Sequence, residues 1–176
     1  SNNYKAQYML GSSIRATSKK DLQKAEKILI KGAENAQDKT GLCEYSLGKL
    51  YLSQERYDKA ASYLERSAAK DNYYAAYTLG KLYQEQFNDD ALAEKHLMHA
   101  AEHKDDVMGI AAYRLGKLYL AQEKSTDAAY LQRSAAKDNY FAAYALGKLY
   151  QEQFNDNTQA EKYLLKLPIT KTILWV

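Results

Sequence analysis

The chain of 176 residues is long enough for one ordinary domain, and its 46% apolar residues can supply a core. Eight glycines and one proline are too few for a turn-rich β fold and favour helices joined by short polar loops. The net charge of +3 does not by itself indicate nucleic-acid binding, and no apolar run approaches the roughly 20 residues of a membrane helix. The single cysteine excludes an internal disulfide and favours a reducing, cytoplasmic compartment.

A Tyr-x-Leu-Gly motif occurs five times and divides the chain into two-helix repeats. Its glycines are Gly11, Gly48, Gly80, Gly116 and Gly147, with separations of 37, 32, 36 and 31 residues. Helix A of each repeat carries the motif and is predicted near residues 4–16, 41–54, 73–87, 108–122 and 140–154. Helix B is predicted near 21–36, 57–70, 90–103, 126–137 and 157–167. These pairs form repeats at about 4–36, 41–70, 73–103, 108–137 and 140–167, and residues 1–176 are predicted to be one helical-repeat domain.

Helix B carries a second motif of small, aliphatic and small residues at spacings of four and three, which place them on one helix face. Ala60, Leu64 and Ser67 show it in the second repeat. A glycine inside helix A lowers helix stability by about 1 kcal/mol relative to alanine, so its recurrence indicates close helix packing. The small residues of helix B are expected to pack against it. In the fourth repeat Ala128 is only three residues before Leu131, which predicts a shortened or phase-shifted helix. The candidate helix N-caps are Asp21, Asp58, Asn72, Asp89, Asp106, Asn139 and Asn157.

The combined pattern resembles the tetratricopeptide repeat, as at Leu47, Gly48, Tyr51, Ala60 and Leu64. The phrases Ala-Ala-Tyr-x-Leu-Gly-Lys-Leu-Tyr and Ser-Ala-Ala-Lys-Asp-Asn are more similar to the related Sel-one-like repeat, although its longer Gly-rich loop is absent. The tetratricopeptide tryptophan in helix A and proline at the end of helix B are absent as well. The resemblance spans residues 4 to about 167.

This resemblance implies an all-α fold, a right-handed α–α superhelix of about five antiparallel helix pairs. It also implies a non-enzymatic scaffold without a cofactor, which binds a protein or peptide on the concave surface formed by the A helices. A weaker resemblance to accessory tails of bacterial plasmid-mobilisation relaxases gives the alternative, an accessory domain of a larger nucleic-acid-processing protein. None of the relaxase nuclease motif is found in the chain.

Helix A carries a row of candidate partner-binding residues. A tyrosine stands three residues before the glycine, a lysine one residue after it, and a leucine or glutamine three residues later, so that tyrosine and lysine share a helix face. The predicted site residues are Tyr45, Lys49, Leu52, Tyr77, Lys81, Gln84, Tyr113, Lys117, Leu120, Tyr144, Lys148 and Gln151. Aromatic rings and ammonium groups suit a segment with acidic residues. The open alternative is that these tyrosines only pack between helices and the lysines form a solvated edge.

Other candidate sites are weaker. The tyrosines three residues after the glycines are predicted to be core: Tyr51, Tyr83, Tyr119 and Tyr150. Nucleic-acid binding by the lysine row is disfavoured, since Glu85 and Glu152 follow Lys81 and Lys148 by four residues and would partly neutralise them. His96, His99 and His103 share a face, as zinc ligands would, but no further ligand clearly completes a site, which favours an ordinary helix edge.

Cys43 and the C-terminus complete the set of candidates. Cys43 begins a helix A, where a thiol pKa can be lowered, but no histidine is near it in sequence, which disfavours catalysis. Pro168 is predicted to end the last helix. Residues 168–176 then form an apolar, β-prone tail, which packs on its own fold in the favoured interpretation. A homodimer contact and a truncated end are the alternatives.

Overall fold

The computed structural model describes residues 3–13, 19–35, 37–106, 109–122 and 128–167. Every regular element in these ranges is helical. The helices are α1 (Tyr4–Ser13), α2 (Lys19–Ala33), α3 (Leu42–Leu52), α4 (Tyr57–Ala68), α5 (Tyr73–Leu82), α6 (Asp90–Glu102), α7 (Ile110–Ala121), α8 (Ala128–Ala135), α9 (Tyr140–Glu152) and α10 (Asn157–Leu164). A π-helical turn, Tyr83–Phe87, extends α5.

The helix order confirms the predicted all-α architecture, with odd-numbered A helices alternating with even-numbered B helices. The observed bounds differ from the predicted ones by three residues at most, when the π-helical turn is counted with α5. The chain forms two compact units, Ser1–Ala100 and Ala101–Val176, and a single domain over all five repeats stays a prediction. Within the described ranges, no helix combines the length and apolar character that crossing a membrane requires.

Consecutive helices pack against each other within each unit. In the first unit α1 packs on α2 and α3 on α4, while α2 also contacts α3 and α4 contacts α5. Consecutive A helices meet as well, since α1 contacts α3 and α3 contacts α5. In the second unit α7 packs on α8, α8 on α9, and α9 on α10. Each A helix inside a unit therefore buries one face against B helices.

The recurring glycine receives a leucine of helix B. A Cβ built on Gly48 would lie only 2.5 Å from Leu64 Cγ, much closer than atoms can pack. The equivalent pairs, each with a closest approach of 2.6 Å, are Gly11–Leu29, Gly80–Leu97, Gly116–Leu131 and Gly147–Leu164. The expected close packing is confirmed, but the aliphatic residue fills the space, where the small residues were expected. Leu131 keeps this contact although the described α8 is only eight residues long.

Polar side chains cap several helices. Asn72 and Asn139 each accept the backbone N–H three residues on, at 3.1 Å, as expected of N-caps. Asp89 accepts the Leu92 amide at 2.9 Å. The cap of α10 is Asp156, whereas Asn157 was predicted. Asp21 and Asp58 lie within the first turns of α2 and α4, where their negative charge interacts favourably with the positive end of the helix dipole.

The C-terminal tail, residues 168–176, lies outside the described residues. Its predicted packing on its own fold, the alternative homodimer contact and the role of Pro168 therefore stay predictions. The last described element is α10.

Candidate functional site

The tyrosine three residues before the glycine lies between consecutive A helices of the first unit. Tyr45 of α3 is half-buried, and its ring centroid is 6.0 Å from that of Tyr74 on α5, with the ring planes tilted by 36°. The Lys49 ammonium lies 5.6 Å from the Tyr45 centroid. Tyr77 and Lys81 follow Tyr74 on α5 by three and seven residues, and both are half-buried. We call these five residues the first patch.

The second unit repeats this arrangement. Tyr113 of α7 is half-buried, and its ring centroid is 6.2 Å from that of Phe141 on α9, with a tilt of 35°. The Lys117 ammonium lies 5.9 Å from the Tyr113 centroid. Tyr144 and Lys148 follow on α9. These five residues form the second patch.

Each patch exposes aromatic surface. Tyr74 is 56% exposed in the first patch, and Phe141 and Tyr144 are 73% and 51% exposed in the second. Grouped exposed aromatic side chains are uncommon on a protein surface and indicate binding sites. Tyr74 and Phe141 were missed by the sequence analysis. The signal was present, since they stand three residues before Tyr77 and Tyr144 and extend the aromatic row by one helical turn.

The third member of each predicted row is less uniform. Leu52 and Gln84 are half-buried in the first unit, while Gln151 of the second unit is exposed. Leu120 and Tyr113 pack against the hydrophobic core of the second unit, around Leu131 and Leu146. These two side chains therefore contribute to stability as well as to the surface. The binding role of the whole row stays a prediction.

The lysines of each patch have different electrostatic surroundings. Lys148 donates to Glu152 at 3.0 Å, and this contact raises the pKa of the lysine, so the predicted neutralisation is present in α9. One turn after Lys49 and Lys117, by contrast, the sequence has Ser53 and Ala121. These two ammonium groups lie over tyrosine rings, an attractive cation–π arrangement that leaves their positive charge unneutralised by the next helical turn.

Solved structures show which fold this arrangement belongs to. No family model matches the sequence, and no curated protein matches it as a relative. A crystal structure of MamA protein shares 20% identity over 93% of this chain and 88% of its own, with a TM-score of 0.66. YrrB, a TPR protein with an unusual peptide-binding site, shares 19% identity over 94% of this chain and 84% of its own, with a TM-score of 0.60. The chain has the fold of tetratricopeptide-repeat solenoids.

A further tetratricopeptide-type neighbour is residues 41 to the end of MamA from Desulfovibrio magneticus RS-1. It shares 16% identity over 93% of this chain and 92% of its own, with a TM-score of 0.63. Identities of this size establish the fold alone.

Three tyrosines of the other row, Tyr51, Tyr83 and Tyr150, reach the preceding B helix with their hydroxyls. Tyr51 is 2% exposed, and its hydroxyl donates to Glu26 of α2 at 2.5 Å. Tyr83 donates to Glu65 of α4 at 2.7 Å. Tyr119 is also buried, while Tyr83 and Tyr150 are half-buried. The core prediction is confirmed for Tyr51 and Tyr119, and the other two lie at the core's edge.

The three histidines have separate partners. His96 stacks on the Tyr83 ring at 5.6 Å, and burial lowers its pKa. His99 lies 3.3 Å from Asp71, and His103 Nδ1 accepts the Asp105 amide at 3.0 Å. Within the described part of the chain, no three His, Cys, Asp or Glu side chains come together as a metal site.

Cys43 is a packing residue. Its side chain is fully buried, and a Cβ built on Gly32 would lie only 2.5 Å from its Sγ. Burial, and then the charges of Asp38 and Glu44, raise the pKa of the thiol from 9.0 to about 12. The helix N-terminus does not lower this pKa, and the thiol is protonated at neutral pH.

Proposed function

We propose that the chain is a non-enzymatic protein-interaction scaffold whose A helices bind segments of partner proteins that carry acidic residues. The observation that carries this proposal is the shared form of the two patches. In each, an exposed aromatic ring lies against a half-buried tyrosine, and a lysine ammonium lies over that tyrosine. The peptide-binding site named for YrrB supports the proposal by analogy of fold.

The chemistry of the patches determines the kind of ligand that fits. Tyr74 and Phe141 offer rigid apolar area, and aromatic side chains lose little conformational entropy on binding. Lys49 and Lys117 offer an ammonium group beside that area, which suits a carboxylate. A segment that alternates apolar and acidic side chains would therefore use both features of a patch.

Selection from a random peptide library displayed on phage tests this proposal with the intact chain as bait. We expect enriched peptides to contain Asp or Glu next to an apolar or aromatic residue. Tyr74→Ala together with Phe141→Ala should weaken their binding by about tenfold or more, equivalent to about 1.4 kcal/mol. Lys49→Gln together with Lys117→Gln should weaken it less, and this loss should shrink as salt is raised.

A matched control is available on a B helix. Lys59 of α4 lies 5.7 Å from the Tyr51 ring centroid, nearly the same geometry as Lys49 over Tyr45. Lys59→Gln removes one charge of the same kind away from the patches and should leave peptide binding unchanged. Enrichment of peptides without acidic residues, or equal losses for Lys59→Gln and Lys49→Gln, would refute the proposal. Preferential binding of single-stranded oligonucleotide would favour the accessory nucleic-acid role instead.

A further inference from the structure

The two patches belong to a long duplication within the chain. Residues 66–73 are identical to 133–140, and residues 80–88 are identical to 147–155. The offset is 67 residues for Tyr74 and Phe141, and 68 for Tyr45 and Tyr113. The duplicated block is thus two repeats long, one α3–α6 set and one α7–α10 set.

The two copies share backbone conformation as well as sequence. Gly41 and Gly109 precede α3 and α7 with φ of 67° and 62°, a left-handed conformation that favours glycine. Each glycine carbonyl accepts a serine hydroxyl from the B helix of the same repeat, Ser67 at 2.7 Å and Ser134 at 2.6 Å. The start of helix A is therefore fixed in the same way in both copies, which places its side chains equivalently.

The exposed aromatic residue and the lysine of the patches do not occur in every repeat. Six residues before the glycine, the aromatic position holds Tyr74 and Phe141 in α5 and α9, but Leu42 and Ile110 in α3 and α7. In α1 the lysine position holds a serine, Ser12. The fold therefore tolerates other residues at both positions, so the exposed rings and the lysines are not required for packing alone.

The geometry of the two patches agrees closely. The inter-helix ring pairs are separated by 6.0 and 6.2 Å with tilts of 36° and 35°. The cation–π distances are 5.6 and 5.9 Å. Because the aromatic pair and the ammonium group correspond in the two patches, we expect both sites to prefer the same class of ligand.

We propose that the chain is bivalent, with one binding site in each compact unit, and that its partner carries the same acidic–apolar motif at least twice. This inference rests on the proposed function and specifies its partner. A ligand with one motif occupies each site separately. When a ligand carries two motifs, binding of the first motif makes binding of the second intramolecular. The overall affinity then rises although each site makes the same contacts as with a single motif.

Isothermal titration tests the number of sites. The probe is a synthetic peptide with one copy of the motif enriched by the phage library. We expect two equivalent sites per chain, and one remaining site of unchanged affinity after either Lys49→Gln/Tyr74→Ala or Lys117→Gln/Phe141→Ala. The four changes together should abolish binding. A stoichiometry of one, or loss of all binding from one pair of changes, would overturn bivalency.

The second measurement uses tandem peptides with two motifs joined by Gly/Ser linkers of increasing length. We expect one tandem peptide per chain and, at the best linker length, binding about 100-fold tighter than the single motif. This gain should vanish in either two-residue variant while single-motif binding to the other site remains. If no linker length gives a gain, the repeated-motif partner is wrong even though the peptide sites exist. If the single motif shows no sensitivity to any patch variant, the proposed function itself fails.

Folding controls accompany both measurements. Phe154 is an exposed aromatic residue just after α9 and outside the second patch, so Phe154→Ala is the matched control for Phe141→Ala. It should retain both sites. Each variant should also keep the helical circular-dichroism spectrum of the unchanged chain, since Tyr74 and Phe141 are mostly exposed. A loss of sites with Phe154→Ala would count against the assignment of the second patch.

Discussion

Helix A carries two rows of tyrosines that differ in their surroundings although they are six residues apart on the same helix. In the last four repeats the outer tyrosines, three residues before the glycine, are Tyr45, Tyr77, Tyr113 and Tyr144. The inner tyrosines, three residues after it, are Tyr51, Tyr83, Tyr119 and Tyr150. Six residues of α-helix turn the side chain by about 240°, so the two rows face different neighbours.

The neighbours determine what each row can do. The hydroxyls of Tyr51 and Tyr83 reach the B helix before them and donate to glutamates there. Among the outer tyrosines, Tyr45 and Tyr113 each have a lysine over the ring and lie near an aromatic ring of the next A helix. The same residue type thus joins repeats on one face and forms the proposed binding surface on the other.

The largest expected difference between the rows is in stability. Tyr51→Ala removes a fully enclosed ring and leaves Glu26 without its hydroxyl donor, so the free energy of unfolding should fall by about 3–5 kcal/mol. Urea denaturation followed by circular dichroism measures it. Tyr74→Ala serves as the comparison, with an expected loss below about 1 kcal/mol because most of that ring is exposed. Equal losses would show that the two faces are not energetically different.

The glycine between the rows is the next most sensitive position. Gly48→Ala would normally stabilise a helix by up to about 1 kcal/mol, but its Cβ would lie 2.5 Å from Leu64 Cγ. We expect a net loss of about 1–3 kcal/mol from overpacking. In the background of Leu64→Ala the clash is gone, so the double variant should lose less than the sum of the two single changes. Simple additivity in urea denaturation would contradict the proposed packing.

The fold could be predicted from the sequence because its signals repeat. Tyr-x-Leu-Gly recurs at nearly constant spacing, and the helix bounds follow within a few residues. The residue that fills the glycine notch could not be predicted, since small and aliphatic residues of helix B share a face, and only the helix rotation places Leu64 and not Ala60 closest to Gly48. Periodicity identifies a face but not the residue at its centre.

The candidate site was only partly predictable for a similar reason. The tyrosine–lysine pairing follows from spacing within one helix, as Lys49 over Tyr45 illustrates. The contact of Tyr45 with Tyr74 links residues 29 positions apart, and it depends on how two A helices align. Exposure does not follow from the spacing either, since Tyr77 is half-buried and its equivalent Tyr144 is exposed.

The inner row should also give the protein a pH dependence at alkaline pH. Burial, and then the hydrogen bond and charge of Glu65, raise the pKa of Tyr83 from 10.0 to about 12. A raised pKa means that folding favours the protonated phenol, so this stabilisation is complete below pH 10 and is lost as the pH rises through 12. The free energy of unfolding should therefore decline over this range.

Tyr83→Phe isolates the contribution of this one phenol. Its unfolding free energy, measured by urea denaturation at pH 9 to 12, should decline less steeply than that of the unchanged chain. Glu65→Gln removes the charge that helps to raise the pKa and should flatten the profile in the same direction. Because both changes act on one interaction, their effects should not add. Parallel profiles for all three proteins would show that Tyr83 has the same proton affinity in the folded and unfolded chain.

The smallest change in stability is expected for Tyr144→Ala, which can be compared with Tyr150→Ala in the same helix. Tyr144→Ala in α9 should change the free energy of unfolding by no more than about 0.5 kcal/mol, since the ring is half exposed, while lowering peptide binding at the second patch. Tyr150→Ala, six residues later, removes a ring that stacks on Tyr163 at 5.7 Å and a hydroxyl that accepts from Gln132 at 3.0 Å. It should lower stability by more than Tyr144→Ala and leave peptide affinity of the folded fraction unchanged. Opposite outcomes for the two variants separate binding from packing, because helix, residue type and substitution are the same and only the direction of the side chain differs.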